Sequence, residues 1–156
     1  MTRFAGGPAQ SPGFLLWHLT LRWQRTITAA LAPLDLTHVQ FVLLACTYWL
    51  TEQGHRPNQQ QVAAQAGTDV KMTSQVLRRL EARRLISRRT DEGDTRAKTL
   101  SMTRRGRSLA IEAITVVEDA DAAFFAEYPA SLIRALARAS APGTNAEAVG
   151  SSRGSR

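Results

Sequence analysis

One cysteine, Cys46, stands in 156 residues, so no disulfide can close within the chain and no multi-cysteine metal site can be built. The three histidines, His18, His38 and His55, are scattered without ligand spacing. There is no glycine-rich phosphate loop and no pair of carboxylates in a catalytic frame, so neither an enzyme nor a cofactor or metal is expected. No apolar stretch is long enough to cross a bilayer, and Met1–Pro12 carries no signal-peptide core. A cytoplasmic protein with no membrane contact is the expectation. Hydrophobic residues make up 44%, an ordinary share for a globular chain, and the length suits one domain with a real core.

Acidic residues are scarce where basic ones crowd. Between Lys71 and Arg107 there are twelve Lys/Arg and four Asp/Glu, so this segment carries +8 while the rest of the chain carries −1. A run of charge is often no more than a solvated face. A stripe of this density is also what the neutralisation of nucleic-acid phosphates requires.

Patterning divides the chain. Residues 1–12 and 141–156 are rich in Gly, Ser, Pro and Ala without an apolar period, and read as mobile tails, the second basic through Arg153 and Arg156. Gly13–Leu31 reads as a helix that is apolar around too much of its circumference for a surface helix, which asks for a partner chain. Thr37 is placed to cap a helix His38–Thr51 whose Phe41, Leu44, Ala45, Tyr48 and Trp49 would face the core. Asn58 can cap Gln59–Ala66, stopped at Gly67, and Thr68 or Asp69 can cap Val70–Arg84. That last helix sorts Thr73, Val76, Leu77 and Leu80 to one side. Lys71, Ser74, Gln75, Arg78, Arg79 and Ala82 fall on the other. Two short helices about a Gly-containing turn form a helix-turn-helix. The period then changes to two: Ile86–Thr90 and Arg96–Met102 read as strands around a turn Asp91–Asp94. Thr103 would cap a long helix from Arg104 to about Glu127, and Ser131–Ala139 a last one with Leu132, Ile133 and Leu136 inward. The fold class is mostly α with a small β-hairpin wing: a winged helix-turn-helix between terminal helices.

In a helix-turn-helix the second helix enters the major groove of duplex DNA. Gln75 can make a bidentate contact to adenine, and Lys71 or Arg78 can address guanine O6/N7. Ser74 can serve a base or a phosphate. Met72 can meet a thymine methyl or pack into the core. Asn58, Gln59 and Gln60 open the preceding helix, where backbone N–H groups and side-chain amides suit phosphate oxygens. Arg88, Arg89, Lys98 and Arg104 read as phosphate contacts or solvated charges.

The segment Asp94-Thr95-Arg96-Ala97-Lys98-Thr99-Leu100-Ser101-Met102-Thr103, followed by Gly106, resembles the wing pattern of the MarR family of bacterial regulators. Leu80-Glu81-Ala82-Arg83-Arg84-Leu85-Ile86 is similar to that family's Leu-Glu-x-x-Gly-Leu segment, with Arg84 where the family usually has glycine. The resemblance covers residues 13 to about 139. It implies a MarR-type domain over 13–140, with a DNA-binding lobe at about 37–103 and dimerisation helices at about 13–32 and 104–140. It also implies that Arg96 enters the minor groove with its guanidinium held by Asp94. By the same resemblance, a homodimer binds a pseudo-palindromic operator as a regulator, a repressor released by a small aromatic or phenolic ligand. Trp17, His18, Trp23, His38, Tyr48 and Trp49 are candidates to line the effector cavity, although a residue of each type is more often a satisfied core residue. Cys46, in an apolar helix without a basic neighbour, reads as an inert thiol. The rival reading is a non-specific architectural protein without a ligand switch, since the basic segment alone would serve any polyanion.

Overall fold

A computed structural model describes residues 4–90 and 98–141. Among them are six α-helices, α1 (Pro12–Leu31), α2 (His38–Glu52), α3 (Gln59–Ala66), α4 (Val70–Ala82), α5 (Arg104–Phe125) and α6 (Ala130–Ala139), and two strands, β1 (Ile86–Thr90) and β2 (Lys98–Met102). The strands pair antiparallel, with Ile86 opposite Met102 and Thr90 opposite Lys98. Short 3-10 turns precede and follow α1, at Gly7–Gln10 and Ala32–Leu34. The first of these lies inside the stretch read as a tail.

The chain divides into two compact units, Met1–Phe124 and Phe125–Arg156. In the first, one apolar cluster joins Ile27 and Leu31 of α1, Leu43 and Leu44 of α2 and Val62 of α3 to Leu77 and Leu80 of α4, Leu100 of β2 and Ala113 of α5. Burying a Leu or Ile side chain of this kind contributes about 1.5–3 kcal/mol. The second unit holds α6, which buries none of its residues. Leu132 and Leu136 are half-buried, while Ile133, expected inward with them, is 45% exposed. An amphipathic helix of ten residues cannot cover its own apolar stripe.

The caps lie where the residue types place them. Thr37 and Gln40 form a reciprocal capping box, and Asn58 and Gln61 form another. Gly67 closes α3 in the left-handed region. Asp69, not Thr68, caps α4 by accepting from Met72 N–H at 2.9 Å. The buried face of α2 differs from the apolar reading, because Gln40 and Thr47 are buried with Leu43 and Leu44 while Trp49 is 57% exposed. Gln40 is spent in the capping box, and Thr47 Oγ1 donates to Leu43 O at 2.7 Å. Two polar residues so satisfied can face the core at little cost.

The end of α4 shows why this helix stops before Arg84. Leu85 N–H donates to Leu80 O at 3.0 Å and Arg84 N–H to Glu81 O at 2.8 Å, the paired bonds of a Schellman motif. The motif needs a left-handed residue, and Arg84 supplies it with φ 57°. A side chain there costs about 1 kcal/mol relative to glycine. Arg84→Gly is therefore expected to stabilise the fold by up to about 0.6 kcal/mol once the added freedom of the unfolded chain, about 0.4 kcal/mol or more, is subtracted. A thermal melt reads this directly, and a lowered midpoint would contradict it.

Candidate nucleic-acid interface

The two sides of α4 are chemically opposite. Thr73, Val76, Leu77 and Leu80 are buried, while Lys71, Gln75, Arg78 and Arg79 are exposed. The reason is local. Apolar residues at spacings of three and four form one stripe, and burying that stripe turns the polar stripe outward. Ser74 is half-buried and accepts a hydrogen bond from Arg78 Nη2 at 3.3 Å. Met72 is half-buried and packs against the core, so the thymine contact open to it by residue type is not what its position favours.

The start of α3 lies close to the start of α4. Gln59 Nε2 donates to Val70 O at 3.2 Å, which ties the two helix N-termini together. Gln60 is exposed beside it, and Asn58 is committed to its cap. The wing is stitched to the same corner: Leu100 N–H donates to Pro57 O at 2.8 Å, and Asn58 forms an isolated bridge with Thr99. Arg89 and Lys98 are exposed on the paired strands. Asp94 and Arg96 lie outside the described residues.

Arg88 is neither solvated nor free for phosphate. Its side chain is 14% exposed, its Nη2 lies 2.6 Å from Glu81 Oε2, and its Nε donates to the same oxygen at 2.7 Å. Arg88 N–H also donates to Glu81 Oε1 at 3.2 Å. This fork braces the recognition helix against β1. The Arg88 hydrogen bond holds the Glu81 carboxyl below its ordinary value against the opposing effect of burial, and the charges of Arg88 and Lys98 add to it. A depressed carboxylate stabilises the fold above its unfolded value, and that contribution disappears as pH falls through the folded one. Glu81→Gln is thus expected to lower the melting temperature near pH 7. The gap to the parent should close as pH drops below about 4, the carboxylate range. Melts across that range check it, and a gap independent of pH would count against the brace.

The six ligand candidates do not share one place. Trp17 is 59% exposed near the start of α1, and His18 stands edge-on to Phe14 with ring centroids 4.3 Å apart. Tyr48 lies under the Arg107 guanidinium, and Arg107 pairs with Glu52. Only Trp23 and His38 meet, edge-on at 5.0 Å. Trp23 Nε1 donates to Asp121 Oδ1 at 2.6 Å, so α1, α2 and α5 converge here. Burial lowers the His38 pKa, and the Asp121 charge acts in the opposite sense. Asp121 has no sequence motif and could not be found without the fold. A surface groove of about 450 Å³ runs along Leu21, Gln24, Arg25, Thr28, Ala29 and Ala32 and is lined by none of the six. Cys46 is half-buried against the core, and burial raises its thiol pKa. Among the described residues, no cluster of three metal-binding side chains occurs, and no single helix is long and apolar enough to cross a membrane.

Residues 33–120 match the ArnR1-like winged-helix domain family. The chain is 43% identical over 120 residues to the uncharacterized HTH-type transcriptional regulator YdcH of Bacillus subtilis, covering 77% of this chain and 82% of that one. It is 32% identical over 130 residues to the HTH-type transcriptional repressor Rv2887 of Mycobacterium tuberculosis, covering 83% of each. The structure of Rv2887, a MarR family protein, in complex with p-aminosalicylic acid matches at 29% identity and a TM-score of 0.60, over 83% of this chain and 95% of that one. CouR of Rhodococcus jostii RHA1, solved with p-coumaroyl-CoA, matches at 27% identity and a TM-score of 0.73, over 85% of this chain and 91% of that one. Matched by a winged-helix family over more than half its length and built on a two-faced recognition helix, the chain belongs to the MarR family of DNA-binding transcriptional regulators, which are not enzymes.

Proposed function

We propose that this regulator acts in the cytoplasm as a homodimeric repressor on a pseudo-palindromic operator and leaves it when a small aromatic ligand binds. The observation that carries the DNA reading is the exposed face of α4, where Lys71, Gln75, Arg78 and Arg79 stand clear of the core beside the exposed Arg89 and Lys98 of the wing. Gln59 and Gln60, at the start of α3, are suited to phosphate. For self-association, the support is apolar surface: Phe14, Leu15, Leu16 and Trp17 are all exposed on α1, and α6 buries nothing. A two-fold pair would set two copies of α4 about one DNA turn apart. For the ligand, the support is the Trp23–His38–Asp121 junction, together with the aromatic compounds bound in CouR and Rv2887.

Selection of bound duplexes from a random pool tests the DNA reading. A palindrome held more than about a thousandfold tighter than random sequence is expected of a specific regulator. A ratio near one would favour the architectural reading, to which the +8 segment lends its own support. Sedimentation at micromolar concentration tests the dimer, and a stable monomer would refute it. Repeating the selection with aromatic acids present tests release. The wing motif adds one mutation. Arg96→Ala is expected to cost about tenfold or more in operator affinity, the usual worth of a well-placed arginine, while leaving the melt unchanged. Unaltered binding at physiological salt would remove Arg96 from the interface.

A further inference from the structure

The geometry points to a base reader outside the polar set: we propose that Val70 recognises a thymine C5-methyl group in the major groove. The proposal rests on the reading of α4 as the recognition helix. Val70 is the first residue of α4 and is 50% exposed. Its position follows from how the first turn is locked. Asp69 Oδ1 holds Met72 N–H at 2.9 Å, and Thr73 Oγ1 donates to Asp69 O at 2.7 Å and lies 2.7 Å from Thr68 Oγ1. With Thr73 buried and Met72 half-buried against the core, the helix cannot rotate to hide Val70. The carbonyl of Val70 accepts from Gln59 Nε2, so α3 fixes the same point from the other side.

Local preference does not account for valine here. The first turn of a helix favours acidic residues, and a β-branched side chain is a modest helix former. Along the helix, Val70, Ser74 and Arg78 follow at intervals of four and share one row. Arg78 already reaches back to Ser74, so the row presents an apolar group, a hydroxyl and a guanidinium in order. Among the bases only thymine offers a methyl group to the major groove, and an apolar side chain is its complement. Valine is well suited, because a β-branched side chain has little rotamer freedom to lose on contact.

Thymine-to-uracil replacement removes that methyl and leaves every hydrogen bond of the base pair in place. The probe is the duplex recovered by selection from a random pool, with each thymine changed singly to deoxyuridine. For the parent protein, at least one thymine per half-site should lose about fourfold in affinity, the effect of burying one methyl group. Val70→Ala should bind the unmodified duplex correspondingly less well and be indifferent to uracil at that position, with an unchanged melt. If no thymine responds, or if Val70→Ala responds as the parent does, Val70 is not the reader, although the specific duplex still binds. If the parent enriches no sequence at all, the reading of α4 fails and takes this proposal with it.

Discussion

Gly106→Ala is expected to destabilise the protein by about 3 kcal/mol or more, the upper range for overpacking a filled site. A Cβ at Gly106 would stand 1.8 Å from Leu85 O and 2.7 Å from Leu85 C. Both are backbone atoms, so no rotamer change can relieve the clash. The two segments are also bonded to each other at this point. Thr103 Oγ1 accepts from Gly106 N–H at 2.9 Å and lies 2.8 Å from Arg84 O and 3.0 Å from Leu85 O, to which it can donate. Thr103 N–H donates to Leu85 O at 3.2 Å. Helix α5 therefore starts directly on the left-handed turn that ends α4, with no side chain between them. Moving α5 outward would break these bonds and disturb Leu85 and Ile86, which are 0% and 2% exposed. Denaturant unfolding measures the loss. A variant within about 1 kcal/mol of the parent, the centre of the range for ordinary substitutions, would show that α5 can shift freely. In that case α5 could not hold the recognition helix to a fixed angle.

The second large effect should appear in binding with no change in stability. Arg78 is exposed on α4, and among the described residues its side chain bonds to Ser74 of the same helix. Arg78→Ala should therefore leave the melt where it is, as surface substitutions generally do to within about 0.5 kcal/mol. A bidentate arginine–guanine contact contributes about 1–3 kcal/mol of discrimination. Operator affinity should thus fall about tenfold to a hundredfold, and affinity for random duplex much less. Titration of both duplexes at one salt concentration separates the cases. An equal loss on both, with a salt slope reduced by about one, would make Arg78 a phosphate contact. Arg79, one residue on and also exposed, is the natural comparison.

These two residues differ in how far sequence alone could reach them. The polar stripe of α4 was legible because four buried residues recur at helical spacing, and the outward face follows by subtraction. Caps at Thr37, Asn58 and Gly67 were legible for a similar reason, since a short side chain bonding its own turn is a local event. The hairpin partners β1 and β2 were legible from a change of period, with β1 matching residue for residue. The need for glycine at Gly106 was not legible, because Leu85 lies twenty-one positions earlier in the chain and only packing brings it near. Glu81 and Arg88 are seven residues apart, too far for helical neighbours, and meet because the Schellman turn folds β1 back on α4.

By itself the sequence determined the order of elements, the helix-turn-helix and the concentration of positive charge from its second helix through the wing, all consequences of short-range periodicity and composition. Tertiary structure alone decided which apolar residues are spent in the core and which are left facing outward. It turned Met72 inward and Val70 outward, and buried Gln40 and Thr47 of α2 while leaving Trp49 of the same helix exposed. It also took Arg88 out of the DNA-facing set by giving it Glu81, and brought Asp121 of α5 to Trp23 of α1. The physical reason is the same in each case. Local bonding sets the helix, but its rotation is settled by packing and by polar pairs between groups far apart in the chain.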